Sequence, residues 1–199
     1  NKVTSATLTF TDRELLGGEL SLALFHQDFN AIYGGSMAAS TLALFRLNGV
    51  PTFDQSQVEA SKHGVRTTWV RTFADAGNLG VVTGFDYLSD ETAQSLVFTD
   101  REWVPYTTYE GWSPYLQLEK PFGPLTLSGG FRYEIAQLKV DDFRTLESYG
   151  GVLVRGGSPS FEEPLFNFGA NWRANRRVTV YGSFAQGYGM ADIGRILRT

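Results

Sequence analysis

The sequence predicts an all-β fold: an antiparallel transmembrane β-barrel segment of about eight strands. Three observations carry that prediction. First, Leu125–Ile135, LTLSGGFRYEI, alternates strictly, with Leu125, Leu127, Gly129, Phe131, Tyr133 and Ile135 on one face and Thr126, Ser128, Gly130, Arg132 and Glu134 on the other. A strand of about eleven residues tilted by about 45° spans roughly the 25 Å apolar band of an outer membrane. Second, the connections between such runs alternate short and long. Third, no apolar run approaches the roughly 18 residues of a transmembrane helix, so any crossing is made by strands. A period of two does not name the solvent, because a strand of a soluble sandwich shows the same alternation. The spacing of the connections separates the two, since a sandwich has little reason to put every long loop at one end.

Taken in order, Val3–Phe10 alternates weakly and Asp12–Gly18, with its Gly17-Gly18 pair, reads as a turn. Glu19–Phe29 resumes with Leu20, Leu22 and Leu24 on one face, and Phe25, His26 and Phe29 blur the phase near its end. Residues 30–57 form a long irregular stretch in which SMAASTLALF has the composition of a short helix. Val58–Phe73 is a strand in which Arg71 falls on the apolar side, close enough to the end to snorkel. After the DAGN turn, Leu79–Tyr87 alternates again, and Ser89–Glu110 reads as a second long loop. Trp112–Glu119 is a strand whose Pro114 marks a bulge or a strand start. Lys120–Pro124 is a short turn into Leu125–Ile135. Beyond Ile135 the apolar set switches to Ala136, Leu138 and Val140, as a bulge or a strand rising out of the membrane would produce. Asp141–Glu163 is a third long loop, followed by Pro164–Arg173, a tight Asn175–Arg177 turn and a last strand at Val178–Gly187.

Composition narrows the function classes. With 17 basic and 21 acidic residues in 199, a net charge of −4, the chain lacks the basic surface of a nucleic-acid binder, so no nucleic acid is expected as partner. It has no cysteine, hence no disulfide framework and no thiolate chemistry. The mean hydropathy of −0.16 is compatible with a barrel, because alternation dilutes hydropathy. The opening NKVTSATLTF reads as a strand already under way and the closing GRILRT as an unfinished domain, so a piece of a longer protein is expected.

No enzyme is signalled. His26 and His63 lie far apart in sequence and in no ligand-spaced cluster, which favours polar strand residues over metal ligands. There is no G-x-S-x-G elbow, GYGMADIG lacks dinucleotide-loop spacing, and no P-loop lysine follows Gly189. Asp141-Asp142 and Glu162-Glu163 read as solvated loop patches.

The last third resembles the barrel domain of TonB-dependent outer-membrane receptors. Asn167 and Gly169, then Tyr181, Ser183 and Gly187, then Asp192, Gly194, Arg195, Leu197 and Arg198 match its terminal pattern, with departures at Tyr188 and Ala191. GGFRYE at 129–134 looks like the family's G-x-R-Y-E strand, and TGFDYLSDETAQ like its G-x-D-Y strand. The resemblance implies uptake of a ferric siderophore or a similar scarce ligand, powered by TonB, in the outer membrane of a Gram-negative bacterium. It also implies an N-terminal plug, absent from this chain, and a barrel of about 22 strands. Residues 1–199 would then all belong to the barrel domain, with no cofactor. The partners would be the ligand, TonB through the plug, and outer-membrane lipid. A passive porin-like channel and a soluble all-β binding module are the alternatives. The ligand-contact candidates are Arg101, Trp103, Tyr106, Tyr109 and Trp112, an aromatic and cationic group able to stack on and hydrogen-bond an anionic iron chelate. Tyr109 and Trp112 equally suit the aromatic girdle at the lipid interface. On this reading Leu116, Val81, Phe85, Leu127 and Phe131 point outward, and Asp86, Gln117, Arg132 and Glu134 inward. The chain expressed alone, with two bare edges and an apolar face, is expected to aggregate or to need detergent.

Overall fold

The computed structural model describes residues 1–189. Among the described residues, eight strands form one antiparallel sheet in which each pairs with its neighbour in the sequence of long strands. They are β1 (Lys2–Asp12), β2 (Glu19–Tyr33), β3 (Ser56–Phe73), β4 (Leu79–Leu96), β5 (Glu102–Phe122), β6 (Leu125–Val140), β9 (Ser160–Arg173) and β10 (Thr179–Ala185). A two-residue pair, β7 (Phe143–Arg144) and β8 (Leu153–Val154), sits in the last long loop, and the helix α1 (Ala39–Leu44) sits in the first. The sheet is not closed: β1 and β10 are its edges. Eight antiparallel strands match the alternating pattern, and the open sheet is consistent with part of a larger barrel, as the family resemblance implies.

The short turns are built by local chemistry. Gly77 and Asn78 turn at φ 71° and 59° between β3 and β4, and Gly123 at φ 61° lets β5 fold straight back into β6. Between β9 and β10, Asn175 Oδ1 accepts the backbone N–H groups of Arg177 and Val178 at 2.8 and 3.0 Å. At the first turn, Arg71 donates to the Leu16 carbonyl and stacks over Phe73 at 4.4 Å, so the cation on the apolar side serves the turn below it.

At the short-turn ends the strands stop within about three residues of where the alternation predicts; at the outer ends all but β10, which stops at Ala185 short of the predicted Gly187, run further. β4 continues to Leu96 and β5 already starts at Glu102, so Ser89–Glu110 is a tall hairpin closed by residues 97–101, not a long loop. The physical reason is that the β ladder is made by backbone groups, and above the membrane it no longer needs an apolar face. Nor does Pro114 make a bulge: it stays opposite Phe85, and the β5–β6 partners skip Ser113 and Pro114 and resume in the same register at Tyr115. The register shifts lie higher, between Thr92 and Gln94 and again between Gln94 and Ser95 of β4. β6 passes Ile135 without a shift, pairing Ala136 with Gly111, so the switch of apolar phase is a continued strand. Ala136 and Leu138 are buried on its inward side, under the outer loops.

Candidate functional site

The register sets the two faces of the wall. One row reads Leu8, Leu24, Val65, Tyr87, Trp112, Ile135 across successive strands, and another Leu116, Phe131, Phe166. Leu8, Trp112, Leu116, Phe131 and Phe166 of these rows are exposed, Phe131 by 40%, and so on the same face are Phe168 by 60% and Phe184 by 58%. Tyr87 and Trp112 pack with ring centroids 4.3 Å apart, and Phe131 stacks beside Tyr133. A sheet face this apolar, with aromatics toward its margin, is built to meet lipid.

The opposite face carries the charge. Arg66, Asp86 and Ser113 stand in one cross-strand row, and the same parity on β6 supplies Arg132 and Glu134. Arg132 Nη1 donates to Asp86 Oδ2 at 3.0 Å, its Nε donates to Glu134, and Ser113 donates to the other oxygen of Glu134. Arg66 Nε stands 3.7 Å from Asp86 Oδ1. Below them, Tyr115 lies against Gly84, where a Cβ would meet its phenol oxygen at 2.5 Å, and Tyr115 Oη bonds Thr68 Oγ1 at 2.7 Å. Two arginines and two carboxylates thus share one water-accessible wall, each charge having an opposite neighbour. Tyr109 and Tyr188 line the recess of about 260 Å³ above this cluster together with Arg66, Asp86, Arg132 and Glu134.

Over the inner side of this wall the outer loops form a cap with its own core. Phe45, Leu96 and Leu146 are buried together, and Trp103 meets Phe45 edge to face at 5.2 Å. Polar clamps join the loops. Asp54, fully buried, accepts the backbone N–H of Phe98 at 2.9 Å and the Thr99 hydroxyl at 2.6 Å. Arg101 donates to the carbonyls of Phe45 and Arg46, both at 2.7 Å. Glu147 accepts the N–H groups of Asn48 and Gly49 at 2.6 and 2.9 Å, and these bonds hold its carboxyl below the ordinary value of 4.5.

The five sequence-predicted contact residues are not brought to one place. Arg101 and Trp103 fasten the cap. Tyr106 points outward and donates to Glu91. Tyr109 faces the lumen, over Gly111. Trp112 stands in the outward aromatic row. Arg66, Tyr188 and Ser113 join the site without being among the sequence-predicted contact residues; the strand parity of Arg66 and Ser113 beside Asp86 and Glu134 is the signal that marks those two in the sequence. Register also brings His26 directly opposite His63, despite their distance in sequence, and His26 bonds Asp28 at 3.0 Å. Among the described residues no group of three or more His, Asp or Glu is arranged to hold a metal ion.

The fold and the two faces define a class: a wall segment of a large outer-membrane β-barrel with a charged lumen. The family described as TonB dependent receptor-like, beta-barrel matches residues 2–198, and the chain belongs to that family. Its members are outer-membrane proteins of Gram-negative bacteria that take up ligands with TonB. Over 77 residues, 34% of this chain and 10% of the relative, it is 30% identical to the Rhizobactin receptor of Rhizobium meliloti strain 1021. Among solved structures, the copper transporter OprC matches with a TM-score of 0.71 at 15% identity over 91% of this chain and 29% of its own. The FrpB iron transporter from Neisseria meningitidis, F5-1 variant in apoprotein form, matches with a TM-score of 0.61 at 14% identity over 97% of this chain and 30% of its own. The chain therefore spans less than a third of each of these proteins. The relatives are receptors and transporters rather than enzymes. The terminal motif residues Asp192, Gly194, Arg195, Leu197 and Arg198 lie outside the described residues.

Proposed function

We propose that this chain is the wall and part of the outer rim of a TonB-dependent importer of a ferric siderophore or a similarly scarce chelate, with all of residues 1–199 in the barrel domain. The observation that carries the reading is the lumen face, where Asp86, Arg132, Glu134 and Arg66 form a paired ionic network. A lumen that charged must be wet or filled by a polar partner. A plug domain elsewhere in the protein, coupled to TonB, would be that partner. The relative named for rhizobactin and the neighbours named for iron and copper transport support a metal-chelate cargo.

Among the five contact candidates, Tyr109 is the one we place on the ligand path, because it faces the recess with Arg132 and Tyr188. Arg101 and Trp103 would act through the shape of the cap, Tyr106 and Trp112 from the outer surface. The test is transport by the intact receptor in iron-starved cells supplied with a panel of ferric catecholates and hydroxamates. Tyr109→Ala and Arg101→Ala are expected to slow uptake of one of them while the barrel still assembles, and Tyr106→Ala to leave it unchanged. An intact receptor that supports no chelate uptake yet conducts ions freely in a planar bilayer would instead make this wall part of a passive channel.

A further inference from the structure

The outward face is not uniform. Across β5, β6, β9 and β10 lies a groove of about 950 Å³, walled by Leu116, Leu118, Phe131, Phe168 and Phe184. Its floor is made of small residues, Gly129, Ala170 and Gly182, which share two neighbouring cross-strand rows. The floor is open. A Cβ on Gly182 meets nothing within 4 Å, and one on Gly129 meets only ordinary contacts, the nearest being Phe168 Cδ1 at 3.6 Å. Glycines in strand interiors weaken a sheet unless something else approaches closely. Among the described residues no atom comes within 4 Å of a Cβ placed on Gly182.

One end of the groove carries a cation. Lys120 is of outward parity, lines the groove and stands beside Leu127 in register. Its ammonium lies 5.6 Å from the Phe122 ring centroid, and a Cβ on Gly77 would meet its Cε at 3.7 Å, so it reaches toward the short-turn end of the wall. Among the described residues no carboxylate forms a salt bridge with it. In an outer-membrane barrel the short turns are periplasmic, so this cation stands at headgroup level of the inner leaflet.

We propose that this groove is a binding site for a diacyl glycerophospholipid of the periplasmic leaflet. One acyl chain lies over Gly129 and Gly182 between the phenylalanines, and the phosphate pairs with Lys120. Charge complementarity selects the occupant. An apolar slot open to the bilayer takes a hydrocarbon chain, and a cation at its periplasmic end takes an anionic headgroup there. The proposal rests on the reading of this sheet as a membrane-spanning wall.

The experiment uses the full-length receptor, folded in detergent and verified by heat-dependent gel migration. It is stripped of lipid, incubated with phosphatidylglycerol or phosphatidylcholine, and examined by native mass spectrometry. The wild-type receptor is expected to hold a phosphatidylglycerol adduct. Gly182→Leu and Gly129→Leu, which fill the groove from its floor, should each lose it. Lys120→Gln should keep acyl binding but lose about fivefold of the preference for the anionic lipid, the size of effect one lysine has at an anionic surface. A folded, heat-modifiable receptor whose adduct is equally abundant in both groove-filling variants would overturn the site, as would retention of lipid A in place of the phospholipid. A receptor that purifies as a water-soluble monomer without detergent would instead overturn the membrane reading beneath it.

Discussion

The lower wall and the outer cap use the same residue types in opposite ways. On the wall, Phe131, Phe168 and Phe184 stand 40%, 60% and 58% exposed. In the cap, Phe45, Leu96 and Leu146 are 4%, 1% and 4% exposed, shut in by Trp103 and by the clamps of Asp54, Arg101 and Glu147. The difference is the solvent. Burying a Phe or Leu from water yields about 1.5–3 kcal/mol, which the cap must obtain from its own packing. The wall obtains it from lipid, so its sheet needs no core on that side. An exposed apolar side chain is therefore a defect in one half of this chain and the design of the other.

Breaking the wall should cost most. Phe131→Arg, in the intact receptor, is expected to destabilise the barrel by about 2–4 kcal/mol if the site lies near the bilayer midplane, read from urea unfolding in lipid vesicles. Next comes the cap: Leu146→Ala removes part of a small core and should cost about 2 kcal/mol there. Faster protease cleavage within residues 34–55 and 141–159 would show it, with the heat-dependent gel shift of the barrel unchanged. Arg132→Ala, one residue from Phe131 but on the wet side, should cost only about 1 kcal/mol, because its side chain is 35% exposed and water replaces part of its pairing. Combining it with Glu134→Gln should recover some of that loss, a coupling that unfolding of the double variant measures.

The smallest effect is on pH. Glu147 has its carboxyl lowered below 4.5 by the N–H groups of Gly49 and Asn48. A lowered folded-state value means its contribution is present above the unfolded value and fades as pH falls through the folded one. Hydrogen exchange at Asn48 and Gly49, corrected for the intrinsic rate, should show protection constant from neutral pH to about 5 and decreasing below 4.5. Glu147→Gln should flatten that dependence.

What was legible in the sequence follows the same division. Where lipid lies on one side and the lumen on the other, the medium imprints a period of two, and Leu125–Ile135 or Leu79–Tyr87 can be read directly. Above the membrane both sides are wet or capped, so the run SDETAQ at 89–94 reads as loop although its backbone stays in the ladder with β3 and β5. The inward place of Asp86, Arg132 and Glu134 was visible from parity alone. Their joining through Arg132, with Ser113 added on Glu134, needed the register of β4, β5 and β6, which no local pattern encodes. In the sequence Arg101 stands as a cation among aromatics, a candidate ligand contact. Its partners are carbonyls of Phe45 and Arg46, contacts that only the tertiary fold reveals.

The central claim is the assignment of the two faces, and spin labels at positions 131 and 132 of the intact receptor in lipid bilayers test it most directly. The label at 131 should be relaxed strongly by oxygen, which concentrates in lipid, and weakly by a water-soluble nickel chelate; the label at 132 should show the reverse. If the two accessibilities are exchanged, the register is wrong by one residue and the charged network of Asp86, Arg132 and Glu134 cannot face the lumen.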